Sequence, residues 1–401
     1  MKGLGRILVV DLSKLLPGPF CTMTLADLGC RVVRVELPHW PDGAREAEPR
    51  IQGQGYAYWM LNRNKESLCL DFRKPEGLRA LHRLLAKADV LVEGFRPGMM
   101  EKLGLGWAGL RRRYPRLVCC SISGYGKGPW ARRAGHDLNF QASCGLLALG
   151  DSSGEVTFPP VQLADLSAAH HAASAILAAL LDRAATGKGR RLSVSMAEAA
   201  FAWPVFAVGE WLATGRSPRP RGAWWNGGNP LYRLYRTQDG RHLAVAILER
   251  PFAVDLLRRL GREDLLPGLS SEEAGAGEAL ARELEAVFSR RTLADWTTLL
   301  SGNDVCVSPV LTFEEALREP HVKGLGLLQG PGGACVRPPV SSPGGDLRVR
   351  RPPPALGADN RRVLRSAGLT AAEISGLERA GLLKTVSRVR RQMRLPRQPK
   401  A

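Results

Sequence analysis

His136 and Asp137 stand side by side, and Asp165 follows after the apolar run Val161-Gln-Leu-Ala. An imidazole and a carboxylate that face each other across a substrate form a proton donor and acceptor pair. The segment from Ser121 to Asp165 also holds a glycine-broken turn, Ser123-Gly-Tyr-Gly-Lys-Gly, directly after a strand-like run. Asp165 has a second reading. With Ser167 it falls at the start of an Ala/Leu-rich helix, where a carboxylate is favoured as a cap and by the helix dipole. Position alone leaves both readings open.

These residues need elements to hold them. Arg6 to Asp11 is a short apolar run with polar ends, as in a buried parallel strand. Leu16-Pro-Gly-Pro19 predicts a turn, Phe20 to Leu28 a helix closed by Gly29, and Arg31 to Glu36 a second strand, which makes a βαβ unit. The turn is not G-x-G-x-x-G, so the dinucleotide fingerprint is absent. Further strands are expected at 88–93, 117–121 and 191–195, with helices at 75–87, 168–185 and 196–214. Arg63 and Lys65 precede a strand and Arg96 follows one, where ligands of open α/β sheets sit. Each reads equally as an anion contact or as solvated loop charge.

Composition shifts at 215–229, rich in Arg, Pro, Trp and Gly, which predicts a linker into a second domain. That domain is expected to carry strands at 232–235 and 242–248 around Asp239-Gly240. Helices are expected there at 251–260, 279–288 and 292–300. A Pro/Gly-rich connection spans 330–356. The last stretch carries Arg388, Arg390, Arg391, Arg394 and Arg397 with few apolar residues, and is expected to be a disordered basic tail. The expected organisation is 1–214 for a large domain, 215–330 for a small α/β domain, 331–383 for a return to the large domain, and 384–401 for the tail.

The chain has 401 residues and is 44% hydrophobic, enough for sizeable cores. No apolar run approaches the ~20 residues of a membrane span, and the N-terminus lacks a signal-peptide pattern. A cytoplasmic protein without a membrane partner is expected. The cysteines are scattered without C-x-x-C spacing and the histidines form no ligand motif, so no metal is expected. The net charge is +19. It favours a polyanionic ligand, whether nucleic acid or a phosphorylated cofactor, or reflects a general arginine bias. No helix-turn-helix, zinc finger or RNA-binding signature is present, so nucleic acid is not an expected partner.

The order of motifs resembles the class III CoA-transferase and α-methylacyl-CoA racemase family from Ile7 to about Leu383. The marks are Val10-Asp11-Leu, Pro17-Gly18-Pro, Ala26-Asp27-Leu-Gly29 and Val33-Arg34-Val-Glu36, then Leu61-Asn-Arg-Asn-Lys65, Phe95-Arg96-Pro-Gly98, Ser123-Gly-Tyr-Gly126 and Thr186-Gly-Lys-Gly189. The resemblance implies an α/β fold, with a large Rossmann-like parallel-sheet domain built from the N-terminal half plus the C-terminal segment, a small α/β domain, and an interlocked homodimer. It implies a coenzyme A thioester as substrate, with no tightly bound cofactor. Arg34, Asn64, Lys65 and Arg96 are the implied contacts to the nucleotide part of CoA, an assignment that suits the planar guanidinium fork.

The racemase branch is similar in finer detail. Gly135-His136-Asp137-Leu-Asn139-Phe140 matches its Gly-His-Asp-hydrophobic-Asn-aromatic motif, and Glu249-Arg-Pro-Phe252 matches its Glu-x-x-Phe element. The implied reaction is epimerisation of the α-carbon of a 2-methylacyl-CoA. His136 and Asp165 move the proton, Glu249 orients His136, and backbone N–H groups at the Asp165 helix start stabilise the enolate oxygen. The alternative is CoA transfer to a free carboxylate with Asp165 as covalent nucleophile. One departure stands out. Racemases carry glycines soon after this aspartate, whereas here Leu166-Ser-Ala-Ala-His170-His171 follows, which adds bulk near the acyl group. His170 and His171 read as ordinary helix residues.

Overall fold

The computed structural model describes residues 3–150, 156, 158–270, 275–302, 305–330, 335–341 and 347–386. The chain divides into two compact units. The first is Met1–Cys144, Pro160–Trp203 and Leu325–Ala401; the second is Gly145–Pro159 and Pro204–Gly324. Most of the stretch expected as a basic tail, 387–401, lies outside the described residues.

The first unit is built on a six-stranded parallel sheet. Its strands are β1 (Leu8–Asp11), β2 (Arg31–Glu36), β3 (Lys65–Cys69), β4 (Val90–Glu93), β5 (Val118–Ser123) and β6 (Arg191–Ser195), in the order β3-β2-β1-β4-β5-β6. Every neighbouring pair runs parallel. This is the doubly wound order, whose direction reverses between β1 and β4. The strands are short Val/Leu-rich runs because both faces are covered. On one face Val10, Val33, Leu68 and Leu91 pack with helix α2 (Pro75–Leu85) and with Val363, Leu364 and Leu377 near the C-terminal end. On the other face Val9, Val32, Val92 and Ile122 pack with helix α1 (Pro17–Asp27) and the long helix Leu163–Thr186. Each large aliphatic side chain so buried contributes about 1.5–3 kcal/mol. The α/β class and the large parallel sheet agree with the sequence reading.

Two helices depart from it. Leu163–Thr186 begins five residues before the expected start and runs for 24 residues. Among the described residues it alone is long and apolar enough to cross a membrane by length and composition, although no run of that kind was expected. Its Ala168, Ala172 and Ile176 are fully buried against the sheet and α1. The single helix expected at 196–214 is two helices, Met196–Phe201 and Val205–Thr214. Pro204 separates them, since proline supplies no N–H and disfavours helical backbone at the residue before it.

The second unit has a three-stranded antiparallel sheet. His242–Ala246 lies centrally between Tyr232–Arg236 and Val307–Pro309. Helices Arg250–Arg259, Ala276–Phe288 and Leu293–Leu300 cover it around Tyr235, Leu243, Leu256, Leu284, Phe288 and Trp296. Trp296 gives its indole N–H to Phe288 O at 2.8 Å, so the buried ring leaves no donor unpaired.

Candidate active site

After β5 the chain turns through Gly124 and returns through Gly135 to helix α3, Asp137–Ser143. Both glycines are forced by close approach: a Cβ at either would sit 2.9 Å from the Phe140 ring. Phe140 is buried edge-on to Tyr125, with ring centres 4.9 Å apart. Asp137, Phe140 and Gln141 form the buried face of α3 at i, i+3, i+4 spacing. His136 occupies the N-cap position. Its backbone N–H donates to Asn139 Oδ1 at 3.0 Å, and its side chain is exposed.

Asp165 lies in the first turn of the Leu163–Thr186 helix, here α4, two residues inside the helix start. The cap position belongs to Gln162, which makes no side-chain cap bond. The capping reading of Asp165 therefore does not describe its place, although a carboxylate in the first turn is still favoured by the dipole. Its backbone N–H donates to Asp137 Oδ1 at 3.1 Å. Asp137 Oδ2 accepts from Gln141 at 2.6 Å, and Gln141 also donates to Val161 O at 3.3 Å. These bonds tie the start of α4 to α3 and so fix Asp165 relative to His136. Burial, and then the charge of Asp137, push the Asp165 carboxyl up from 3.8 to about 7.

His136 and Asp165 line one cavity of about 460 Å³. Its walls come from the loops after β1 and β4, Ser13 to Leu15 and Gly94 to Pro97, and from the end of β5 with the following glycine, Ile122 to Gly124. Arg132 and Arg133 complete the stretch that leads to His136. The cavity thus sits at the carboxyl ends of β1 and β4, the switch point where ligands of doubly wound sheets bind. Arg96 is exposed and borders a second cavity of about 240 Å³ as well. That second cavity includes Trp107, Lys127 and Arg191. Three cations, Arg96, Lys127 and Arg191, and two aromatic rings, Phe95 and Trp107, line it beside Glu93 and Glu101, and the cations suit a phosphorylated ligand.

The other expected contacts lie elsewhere. Arg34 is fully buried and paired with Asp11 at 3.2 Å and with Asp42. Lys65 is fully buried too. Its Nζ donates to Asp11, Asn62, Thr22 and Pro19 O, and burial brings it down to about 8. Asn64 has a left-handed backbone, φ 63, and bonds Asp27 at 2.7 Å while accepting from Arg350 and Arg351 N–H groups. None of these three lines the cavity that holds His136 and Asp165. Inside the unit Asp11 and Asp42 pair with Arg34, Asp11 with Lys65, and Asp27 with Asn64. Arg96 alone of the expected set lines the cavity with His136 and Asp165. Glu249 lies in the second unit, exposed at the N-cap of helix Arg250–Arg259. His170 and His171 are exposed on α4, and His170 rests against Phe20.

Sequence reasoning gave no role to Asp137, the residue bonded to Asp165, or to Ser13–Leu15. The signal for the first was an acid next to a candidate histidine. For the second it was the position of the first βα turn.

Comparison with known proteins adds the following. Residues 4–360 match the model of CoA-transferase family III. The chain is 40% identical over 333 residues to the alpha-methylacyl-CoA racemase of Homo sapiens, covering 80% of this chain and 81% of that protein. It is 30% identical over 379 residues to a succinyl-CoA:glutarate CoA-transferase of Mus musculus, covering 91% and 86%. Among solved structures, a CAIB/BAIF family protein from Brucella suis superposes with a TM-score of 0.80 at 29% identity. It covers 90% of this chain and 98% of that one.

Proposed function

The chain belongs to CoA-transferase family III, and from that premise we propose that it epimerises the α-carbon of a 2-methylacyl-CoA. His136 and Asp165 exchange the α-proton from opposite faces of that carbon. The observation that carries this reading is one cavity lined by both groups, with Asp165 raised to about 7. A carboxyl near 7 holds a proton in part of the molecules and has lost it in the rest, so it can give or take one at neutral pH. Abstraction leaves an enolate on the thioester. The positive end of the α4 dipole is placed to bear its charge. Return of a proton from the other face inverts the centre. Glu249 is the residue we assign to orient the imidazole, and Arg96 the one that holds CoA phosphate.

The substrate is a coenzyme A thioester and no tightly bound cofactor takes part. The proposal includes an interlocked homodimer, for which exposed apolar side chains on Val205–Thr214 are support: Trp211 is 53% and Leu212 71% exposed. It places the enzyme in the cytoplasm, without a membrane or nucleic-acid partner.

A second reading, CoA transfer to a free carboxylate, has the 30% identity to the succinyl-CoA:glutarate CoA-transferase in its favour. In it Asp165 attacks the thioester, expels CoA as thiolate and forms a mixed anhydride. The thiolate then returns to give an aspartyl-CoA thioester as the acyl carboxylate leaves. A carboxyl near 7 is about half anion at neutral pH and so serves this attack as well. The test is a 2-methylacyl-CoA incubated in heavy water. Deuterium enters the α-position, and His136→Ala reduces the rate by about a hundredfold or more. Absence of exchange, with CoA passing to an added carboxylate and hydroxylamine trapping at Asp165, would favour transfer instead.

A further inference from the structure

We propose that Leu15 sets the acyl-chain selectivity of the cavity that holds His136 and Asp165, and that Asp42 is the positioning residue that keeps it in place. The acyl chain is that of the CoA thioester proposed above, so the inference rests on that reading.

Leu15 has φ 64, in the left-handed region where a leucine Cβ crowds the following carbonyl. It lines the cavity and leaves 50% of its surface exposed. Strained residues persist where the surroundings over-determine them, and they gather at sites that bind. Here the surroundings are explicit. The Leu15 N–H donates to both Asp42 carboxylate oxygens, at 3.1 and 3.3 Å. Asp42 is itself fully buried. It accepts from Ala44 N–H at 3.0 Å and from Arg34, and gives its own N–H to Glu36 at 3.1 Å.

The two preceding residues are pinned separately. Lys14 Nζ donates to Trp40 O at 2.7 Å and lies 4.2 Å from the centre of the Trp40 ring. Ser13 donates its N–H and O–H to Asp11 Oδ1, at 2.9 and 2.5 Å. Three consecutive residues of the loop after β1 are thus held by three different groups, and all three line the cavity. Without Asp42 the backbone at Leu15 relaxes to negative φ and the side chain leaves this position. With it, a branched apolar side chain stands at a fixed point of the cavity wall. Such a wall discriminates among chains by bulk, and a single methylene is worth about tenfold in an apolar pocket.

The test uses S-ethyl-CoA and S-octyl-CoA, thioethers that bind without turnover, with dissociation constants read by calorimetry. Leu15→Ala changes the ratio of the two constants about tenfold, through S-octyl-CoA, and Asp42→Ala, which removes the acceptor of the Leu15 N–H, does the same with the leucine still present. Leu15→Gly melts above Leu15→Ala, because glycine accepts φ 64 without strain. An equal change in both constants, or none, would overturn the assignment to the acyl chain. A lower melting temperature for the glycine variant would overturn the strained geometry. Should Asp42→Ala fail to fold, the two Leu15 variants still decide. Failure of the unaltered protein to bind either thioether would sink the CoA-thioester reading itself, an outcome distinct from binding with an unmoved ratio.

Discussion

Asp137 receives the backbone N–H of Asp165 at 3.1 Å, and the charge that accepts this bond also resists ionisation of the Asp165 side chain. One carboxylate therefore positions its neighbour and tunes it. The bond fixes where Asp165 stands. The charge adds to burial in lifting it to about 7.

Asp137→Asn separates the two effects. The amide oxygen still accepts the Asp165 N–H, but the negative charge is gone. Asp165 then falls below 7 yet stays above 3.8, because burial, the larger cause, remains. For the reaction direction in which Asp165 donates, activity is lost as pH rises through its pKa. That limb should move to lower pH in the variant, as read from the pH dependence of α-deuterium exchange. An unmoved limb would show that Asp137 only positions.

The raised carboxyl also burdens the fold. A group whose folded pKa exceeds its unfolded value favours the folded state fully below the unfolded value, and this advantage is lost as pH rises through the folded one. For Asp165 the window runs from 3.8 to about 7. A rise of that size corresponds to at most ~4 kcal/mol, and the half-open site reduces it to roughly 1–3 kcal/mol. Asp165→Asn should therefore be more stable than the parent to urea at pH 8 by about that amount, with the gap closing by pH 4. Exchange activity should be lost at both pH values.

Arg34 and Arg96 should behave in opposite ways. Removing buried Arg34 takes the guanidinium from Asp42 and leaves Asp11 with Lys65 as its remaining ion-pair partner, so Arg34→Met should cost about 3–5 kcal/mol in denaturant unfolding. Removing exposed Arg96 should leave stability unchanged. It should raise KM for the thioester roughly tenfold or more, as expected for a lost charge-assisted bond, with little change in kcat. Loss of stability in Arg96→Ala, or a pure KM effect in Arg34→Met, would contradict the placement of the two residues.

How far the sequence could reveal this depends on the residue. The parallel sheet was legible because β1, β2 and β4 are short Val/Leu runs, a pattern that covered strands require. His136, Asp165 and Arg96 were legible as chemistry-bearing types at strand ends and loops. The burial of Arg34 was not legible, because an arginine looks the same whether it faces a phosphate or an internal carboxylate. The decision lies with Asp42, which only the fold brings to it. The Asp137–Asp165 bond was invisible because α3 has seven residues, too few for an apolar period to declare it. Leu15 was missed because a positive φ at leucine has no sequence signature.

The C-terminal boundary offers the last test. The sequence placed a disordered basic tail after Leu383, but the next three residues are bonded into the first unit. Lys384 O accepts from Asn360 at 3.0 Å, and Val386 N–H donates to Leu356 O at 2.9 Å. Asn360 in turn accepts the Cys69 N–H of β3 at 2.8 Å, so these residues brace the edge of the sheet. A chain ended after Val386 should keep full activity and melting temperature. One ended after Leu383 loses these bonds, each worth about 0.5–1.5 kcal/mol, and should melt several degrees lower. Equal melting of the two truncations would show that the brace contributes nothing, because the two chains differ only by the residues that form it.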